Sequence, residues 1–203
     1  MVDVLSNLIH ALRCLPGIGP KSAQRMAYFL LQQKERHRGT NLARCLEKAM
    51  LAIQHCSQCN NYTEHDVCAL CQDTSRDPRT LCVVETPVDI IAIEQTKTYR
   101  GYYYVLMGKI SPLDGIGPND IALAGLQQRV LNHPITEMII AINPTLEGQT
   151  TIHFIQTAVQ AKMIKISQLA HGIPIGGELE FLDANTIERA LRNRESLPSP
   201  TTS

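Results

Sequence analysis

The stretch LCVVETPVDIIAIEQ, residues 81–95, decides the fold. Its first four residues form an unbroken apolar run, short enough for a strand buried on both faces. Glu85 and Thr86 interrupt the run. Pro87 then suits the first position of a helix, where its missing amide hydrogen has no partner to lose. A buried strand running straight into a helix is one half of a βα unit.

The unit recurs downstream. Residues 102–107 predict a second strand, 119–131 a helix, 137–142 a third strand, 150–162 another helix and 163–170 a last strand. Such alternation implies a mixed α/β fold, with a mainly parallel sheet flanked by helices on both faces. Functional groups of such sheets gather beyond the carboxyl ends of the strands. Glu85 directly follows the first strand, and Asn143-Pro144-Thr145-Leu146-Glu147-Gly148 follows the third as a loop.

Upstream lies CSQCNNYTEHDVCALC, residues 56–71, two Cys-x-x-Cys pairs eight residues apart. Four thiolates so spaced can surround one tetrahedral zinc, and the polar loop between the pairs buries too little to fold without a metal. Cys56, Cys59, Cys68 and Cys71 are the expected ligands, with His55 and His65 as stand-ins only if a cysteine fails. A redox Cys-x-x-Cys occurs once, at the start of a helix in a βα context, and this motif occurs twice without it. With no coordination position left for water, the zinc is expected to be structural.

Further upstream, LPGIGPKSAQRMAYFLL, residues 15–31, joins two helically periodic segments through Pro16-Gly17-Ile18-Gly19-Pro20. Pro16 stops the first helix and Pro20 opens the second. Gly17 and Gly19 permit a tight turn and close approach to another backbone, and Ile18 can plug the gap between the helices. The free amides at the start of the second helix suit a phosphate, with Lys21 beside them and Arg25 one turn on. Spacing alone leaves two readings: a backbone-binding DNA hairpin, or a plain αα-hairpin whose glycines serve packing. A third helix over 41–55 carries Leu42, Cys45, Leu46, Ala49, Met50 and Ile53 on one face, for a small helical domain or a subunit interface.

The net charge of zero hides an asymmetry: residues 1–53 hold eight Lys/Arg against three Asp/Glu, and residues 54–78 one against four. The basic surplus lies where a nucleic-acid footprint would be sought, although it also fits an ordinary solvated helix face. No run of 18 apolar residues or export signal is present, which predicts a soluble, cytoplasmic protein without membrane contact. The remaining cysteines, Cys14, Cys45 and Cys82, sit at apolar-periodic positions and read as small buried hydrophobes.

In chain order, LPGIGPKSAQRMA, the four-cysteine finger, CVVETPVDIIAIE, SPLDGIGP, NPTLEG and HGIPIGGELEFLD resemble the motifs of the bacterial RecR family of recombination mediators over almost the full length. The resemblance implies four segments: a helix-hairpin-helix domain over 1–53, a four-cysteine zinc finger over 54–78, a Toprim domain over 79–174, and a carboxyl-terminal strand and helix with a disordered tail over 175–203. It assigns DNA contact to the hairpin through Gly17, Gly19, Lys21 and Arg25. It implies a homo-oligomer, a dimer or tetramer ring gripped partly by the terminal helix. Active Toprim enzymes hold magnesium with one glutamate and a later Asp-x-Asp. Glu85 matches the glutamate, but Asn143-Pro144-Thr145 stands at the second site, so no enzyme activity is expected and Glu85, Asp89 and Glu147 could hold magnesium only weakly. The acidic surface of Glu85, Asp89, Asn143 and Glu147 is instead expected to dock RecO, with RecF as a further partner. The implied role is a nucleoid-associated clamp that helps load RecA onto single strands covered by single-strand-binding protein; a Toprim nuclease or primase is the alternative.

Two positions depart from the family's pattern: Tyr104 replaces a histidine and Met107 a glycine. GGELEFLD (176–183) reads as an apolar edge strand closing the sheet, superficially like a Walker B motif but without any Walker A loop. Asp183 or Asn185 would cap a last helix over 186–194.

Overall fold

The structure is a computed structural model describing residues 3–170, 172–173, 176 and 178–192. It divides into two compact bodies, one ending at Gln54 and the other beginning at His55.

The first body is three helices, α1 (Val4–Leu12), α2 (Pro20–Leu31) and α3 (Arg36–Ala52). Asp3 caps α1 by accepting from the Leu5 amide at 3.1 Å. Pro20 opens α2, with Gly19 extended at its amino-terminal cap and Gly17 left-handed at φ 76°. The turn between α1 and α2 is thus built on the glycines as the sequence predicts, and Ile18 is half-buried within it. The third helix starts five residues earlier than expected, because Gly39 packs against Leu30 instead of breaking it. Among the described residues of this body only Ala23 and Ala27 are buried. Cys14 and Cys45 are exposed, contrary to their apolar-periodic positions, because no second layer covers the faces on which they lie.

The boundary falls within β1 (Gln54–His55), the first strand of the finger, which continues with β2 (Tyr62–Thr63) and the short helix α4 (Ala69–Gln72). Then come β3 (Asp77–Val84), α5 (Pro87–Gln95), β4 (Gly101–Val105), α6 (Leu123–Asn132), β5 (Glu137–Ala141), α7 (Leu146–Val159), β6 (Lys165–Gln168) and α8 (Ala184–Arg192). The sheet is parallel throughout, in the order β4-β3-β5-β6. Alternate β3 residues feed opposite layers. Leu81 and Val83 join Leu126 and Val130 of α6 and Ile155 of α7 on one face. Cys82 and Val84 meet Ile90 of α5 on the other. Val84 pairs with both Val105 and Ala141, which brings the carboxyl ends of three strands to one level.

Three segments differ from expectation. Leu146–Gly148 is the first turn of α7 and not loop, since the Thr145 hydroxyl accepts from the Gly148 amide at 3.1 Å and caps the helix early. Residues 119–122 are turns ahead of α6. The expected edge strand over 176–183 is not one: Leu179–Phe181 forms a single 3-10 turn, and Phe181 is exposed. A short apolar run specifies burial on a sheet only where a neighbouring strand offers free hydrogen bonds, and this run closes into a local turn instead. Asp183 does cap α8, accepting from the amide and hydroxyl of Thr186. The carboxyl-terminal tail and the expected end of the last helix at residue 194 lie outside the described residues. Among the described residues no helix is long and apolar enough to cross a membrane.

Candidate functional site

Cys56, Cys59, Cys68 and Cys71 are buried, with their sulfurs all within 4.8 Å of one another. A turn closed by the Asn60 amide on the Cys56 carbonyl (2.9 Å) presents the first pair, and the start of α4 presents the second. Asn60 takes the left-handed conformation this knuckle needs, φ 62°, one that asparagine adopts more readily than bulkier residues. The sulfurs share protons unevenly. Hydrogen bonding to Cys68 and Cys71, with burial, pushes the Cys59 thiol above its ordinary value, while the bonds from Cys59 and Cys71 pull the Cys68 thiol down. A dication replaces those protons and lets all four sulfurs act as thiolates. The Cys68 amide already donates to the Cys56 sulfur at 3.3 Å, a contact that orients a ligand. The cluster fits a structural zinc. His55 and His65 take no part: His55 Nδ1 faces the Asn60 carbonyl, and His65 is exposed.

The finger is also tied to the sheet. The Val105 amide donates to the Cys59 carbonyl at 2.9 Å, and the Asn60 side chain donates to the Val105 carbonyl at 2.8 Å. β4 is an edge strand, so the zinc knuckle covers the end of an otherwise open hydrogen-bonding edge. Leu70 of α4 packs against the α5 layer. Arg76, only 6 % exposed, fixes the link between finger and sheet. Its guanidinium donates to both Glu94 oxygens and to the Gly101 carbonyl. The Tyr103 hydroxyl donates to Glu94 as well.

At the carboxyl ends of the strands, Glu85 is 8 % exposed. One carboxylate oxygen accepts from the Asn143 backbone amide at 2.9 Å and the other from the Asn143 side-chain amide at 3.5 Å. An aspartate here would repel Glu85 unless a metal lay between them; asparagine donates instead and satisfies the glutamate directly. Asp89 accepts from the amide and hydroxyl of Thr86 and completes a capping box at the start of α5. Glu147 lies in the first turn of α7, 3.7 Å from the Lys109 ammonium. Its own amide, the Thr145 hydroxyl and Lys109 hold its carboxyl below the usual range. Glu85 and Asn143 are therefore brought together, while Asp89 and Glu147 each have a separate partner. Among the described residues the four cysteines are the one group of His, Cys, Asp or Glu placed to share a metal ion. Gly148 is required at its position, because a Cβ there would land on the Asn143 carbonyl oxygen.

The departures have structural consequences. Tyr104 is buried, its phenol pushed up to about 12 by that burial, and its hydroxyl donates inward to the Ala122 carbonyl at 3.0 Å. A Cβ on Gly125 would coincide with this hydroxyl. Met107 is left-handed at φ 61°, the conformation that favours the glycine of the family pattern. Lys21 and Arg25 lie on exposed positions of α2.

Sequence reasoning missed Arg76, Thr151 and Arg129, all buried. Thr151 accepts from the Ile110 amide at 2.9 Å and donates to the Glu147 carbonyl at 2.7 Å, pinning the 106–111 loop to α7. Arg129 had a legible signal: it stands three residues after Leu126, on the apolar stripe of its helix.

A four-sulfur cluster, a parallel sheet and a Glu85–Asn143 pair at its carboxyl edge define a Toprim protein with a zinc finger. A Toprim family model matches residues 79–170, and three RecR models match beside it: the helix-hairpin-helix over 5–50, the four-cysteine zinc finger domain over 53–73 and the C-terminal segment over 172–195. The chain is 60% identical over 193 residues to the recombination protein RecR of Legionella pneumophila strain Philadelphia 1, covering 95% of this chain and 96% of that protein. It is equally similar to RecR of the Corby and Lens strains, covering 98% of each. The chain belongs to the RecR family of recombination proteins.

Proposed function

We propose that the protein is a non-enzymatic recombination mediator in DNA repair, organised as the four segments 1–53, 54–78, 79–174 and 175–203. The observation that carries this reading is the hydrogen-bonded pair of Glu85 and Asn143. An amide fills the place where a catalytic Toprim would need a second carboxylate, so phosphoryl chemistry has no metal clamp.

DNA contact falls to the start of α2, where exposed Lys21 and Arg25 follow the Gly17–Gly19 turn at the amino-terminal end of the helix. Such contact is weak, salt-dependent and blind to sequence. Assembly supports it. Leu42, Leu46 and Met50 of α3 stay exposed in the single chain, as a face awaiting a second copy would be. A closed dimer or tetramer ring would hold DNA by topology where a neutral protein cannot hold it by charge. The acidic edge of Glu85, Asp89, Asn143 and Glu147 is the docking surface for RecO, with RecF as a further partner. Together they would help load RecA onto strands covered by single-strand-binding protein, in the nucleoid-containing cytoplasm.

Fluorescence anisotropy tests the DNA surface. The Lys21→Ala/Arg25→Ala double variant should bind duplex at least ten-fold more weakly at low salt, and its salt slope should fall by about two. Binding equal to the parent's would remove the hairpin from the interface.

A further inference from the structure

A cleft of about 420 Å³ lies between the finger and α6, lined by His55, Gln58, Gln128, Arg129, Asn132 and His133 among others. Its volume falls within the range of sites for small ligands, about 300–1,000 Å³. No carboxylate contributes to the lining. Arg129 sits at its wall, 6 % exposed, with its Nε lacking any hydrogen-bond partner. Arg76 is buried to the same degree and its Nε also lacks a hydrogen bond, but Glu94 and Asp73 supply it with counter-charge. Among the described residues Arg129 has no acid: one Nη donates to Gln58 at 3.2 Å and to His133 Nε2 at 2.8 Å, and the guanidinium stacks 5.6 Å from the centre of the Tyr102 ring.

Those partners are weak substitutes for an anion. Arginine has no lone pair to offer, so His133 Nε2 must accept, which requires a neutral ring. Burial, Arg129 and Lys162 all lower the His133 pKa and keep it neutral. The Lys162 ammonium is spent on the Val130 and His133 carbonyls at the end of α6. On the finger, Asp66 is engaged by the Ser57 hydroxyl, which donates to it at 3.1 Å. A desolvated guanidinium without a counter-charge costs several kcal/mol, and apolar packing alone would not retain one. His55 lines the cleft, and its ring packs on that of Tyr62, which lies outside the lining and is exposed, with ring centres 5.1 Å apart. An aromatic pair beside a recessed guanidinium and amide side chains, of which Gln58 and Gln128 use only their oxygens on Arg129 and Asn132, matches the three parts of a nucleotide: base, phosphate and polar edge.

We infer that this cleft seats a nucleotide of single-stranded DNA, its phosphate on Arg129 and its base against the His55–Tyr62 pair. The site uses none of the hairpin's residues, and it rests on the proposed DNA-binding role only for the identity of the strand.

The test uses the zinc-loaded full chain and a labelled oligothymidylate, with a blunt duplex in parallel. Tyr62→Ala, at an exposed position, should weaken single-strand binding about ten-fold and leave duplex binding within two-fold of the parent. Arg129→Gln should weaken single-strand binding similarly and reduce its salt slope by about 0.7. Should Arg129→Gln melt early, Tyr62→Ala and Gln58→Ala carry the test. Parent-like single-strand binding by folded cleft variants overturns the inference, whatever the hairpin variant does. Loss of binding only in the Lys21→Ala/Arg25→Ala variant would sink the cleft and keep the hairpin; loss only in the cleft variants would do the reverse. No single-strand binding by the parent at about 100 μM protein overturns the cleft outright.

Discussion

The two bodies of this chain handle apolar surface in opposite ways. In the sheet body Leu81, Leu126, Met138 and Ile155 are wholly enclosed, and residues of a single β3 strand serve two layers. In the helical body two alanines are buried, while Leu46 is 57 % and Met50 71 % exposed. Both bodies have amphipathic elements, so composition does not separate them; closure does. The sheet body completes its own core and adds a metal staple, whereas three helices of this length leave apolar faces for something else to cover. Stability should therefore be a property of one body and association a property of the other.

The strongest way to break that contrast is at the zinc. Cys59→Ser should abolish metal binding, read by metal analysis, and free the knuckle from β4. Structural zinc sites bind with apparent free energies of about 10 kcal/mol or more. Even partial loss should lower the melting midpoint by about ten degrees or more and expose the β4 edge to aggregation. A variant that melts like the parent would show that the finger contributes nothing to the sheet body.

The next effect separates core from surface. Leu126→Ala should cost about 2–5 kcal/mol in chemical denaturation. Leu46→Ser on α3 should cost under about 0.5 kcal/mol within a single chain, yet reduce solution mass measured by light scattering. If Leu46→Ser leaves the mass unchanged, the exposed α3 face is not an assembly surface.

A smaller effect than the core truncation concerns the strut between finger and sheet. Hydrogen bonds from Arg76 and then Tyr103 hold the Glu94 carboxyl below its ordinary value of 4.5. A depressed carboxylate stabilises the fold above its unfolded pKa, and the contribution is lost as pH falls through the folded one. The pair should thus act fully at neutral pH and fade below about pH 4.5. Glu94→Gln should cost about 1–3 kcal/mol at pH 7 and flatten the acid limb of a stability–pH curve. An acid limb identical to the parent's would assign the acid sensitivity elsewhere.

Much of this architecture can be read from residues alone. The βα alternation after Thr80, the proline-opened helix at Pro87 and the twin Cys-x-x-Cys pairs are local signals, each enforced by the chain's own covalent geometry. What escaped was non-local. Residues 176–183 look like a strand because apolar runs are ambiguous without knowing which edge is available. Cys14 and Cys45 look buried because periodicity reports which face is apolar, not whether anything covers it. In the acidic corner, the missing second carboxylate was legible at Asn143, but its inverted role as donor to Glu85 depends on two strand ends meeting. Arg129 was visible as a charge on an apolar stripe, though its lack of an acid partner required coordinates.

The meeting of Tyr104 with Gly125 has an evolutionary corollary. A large ring at one site and a missing methyl at the other occupy the same space, so the pair behaves as a lock whose halves were cut for each other. Once the phenol has claimed that volume, even the gentlest enlargement opposite it is closed to drift. A substitution that looks like a family irregularity thus narrows the routes by which its neighbouring helix can change.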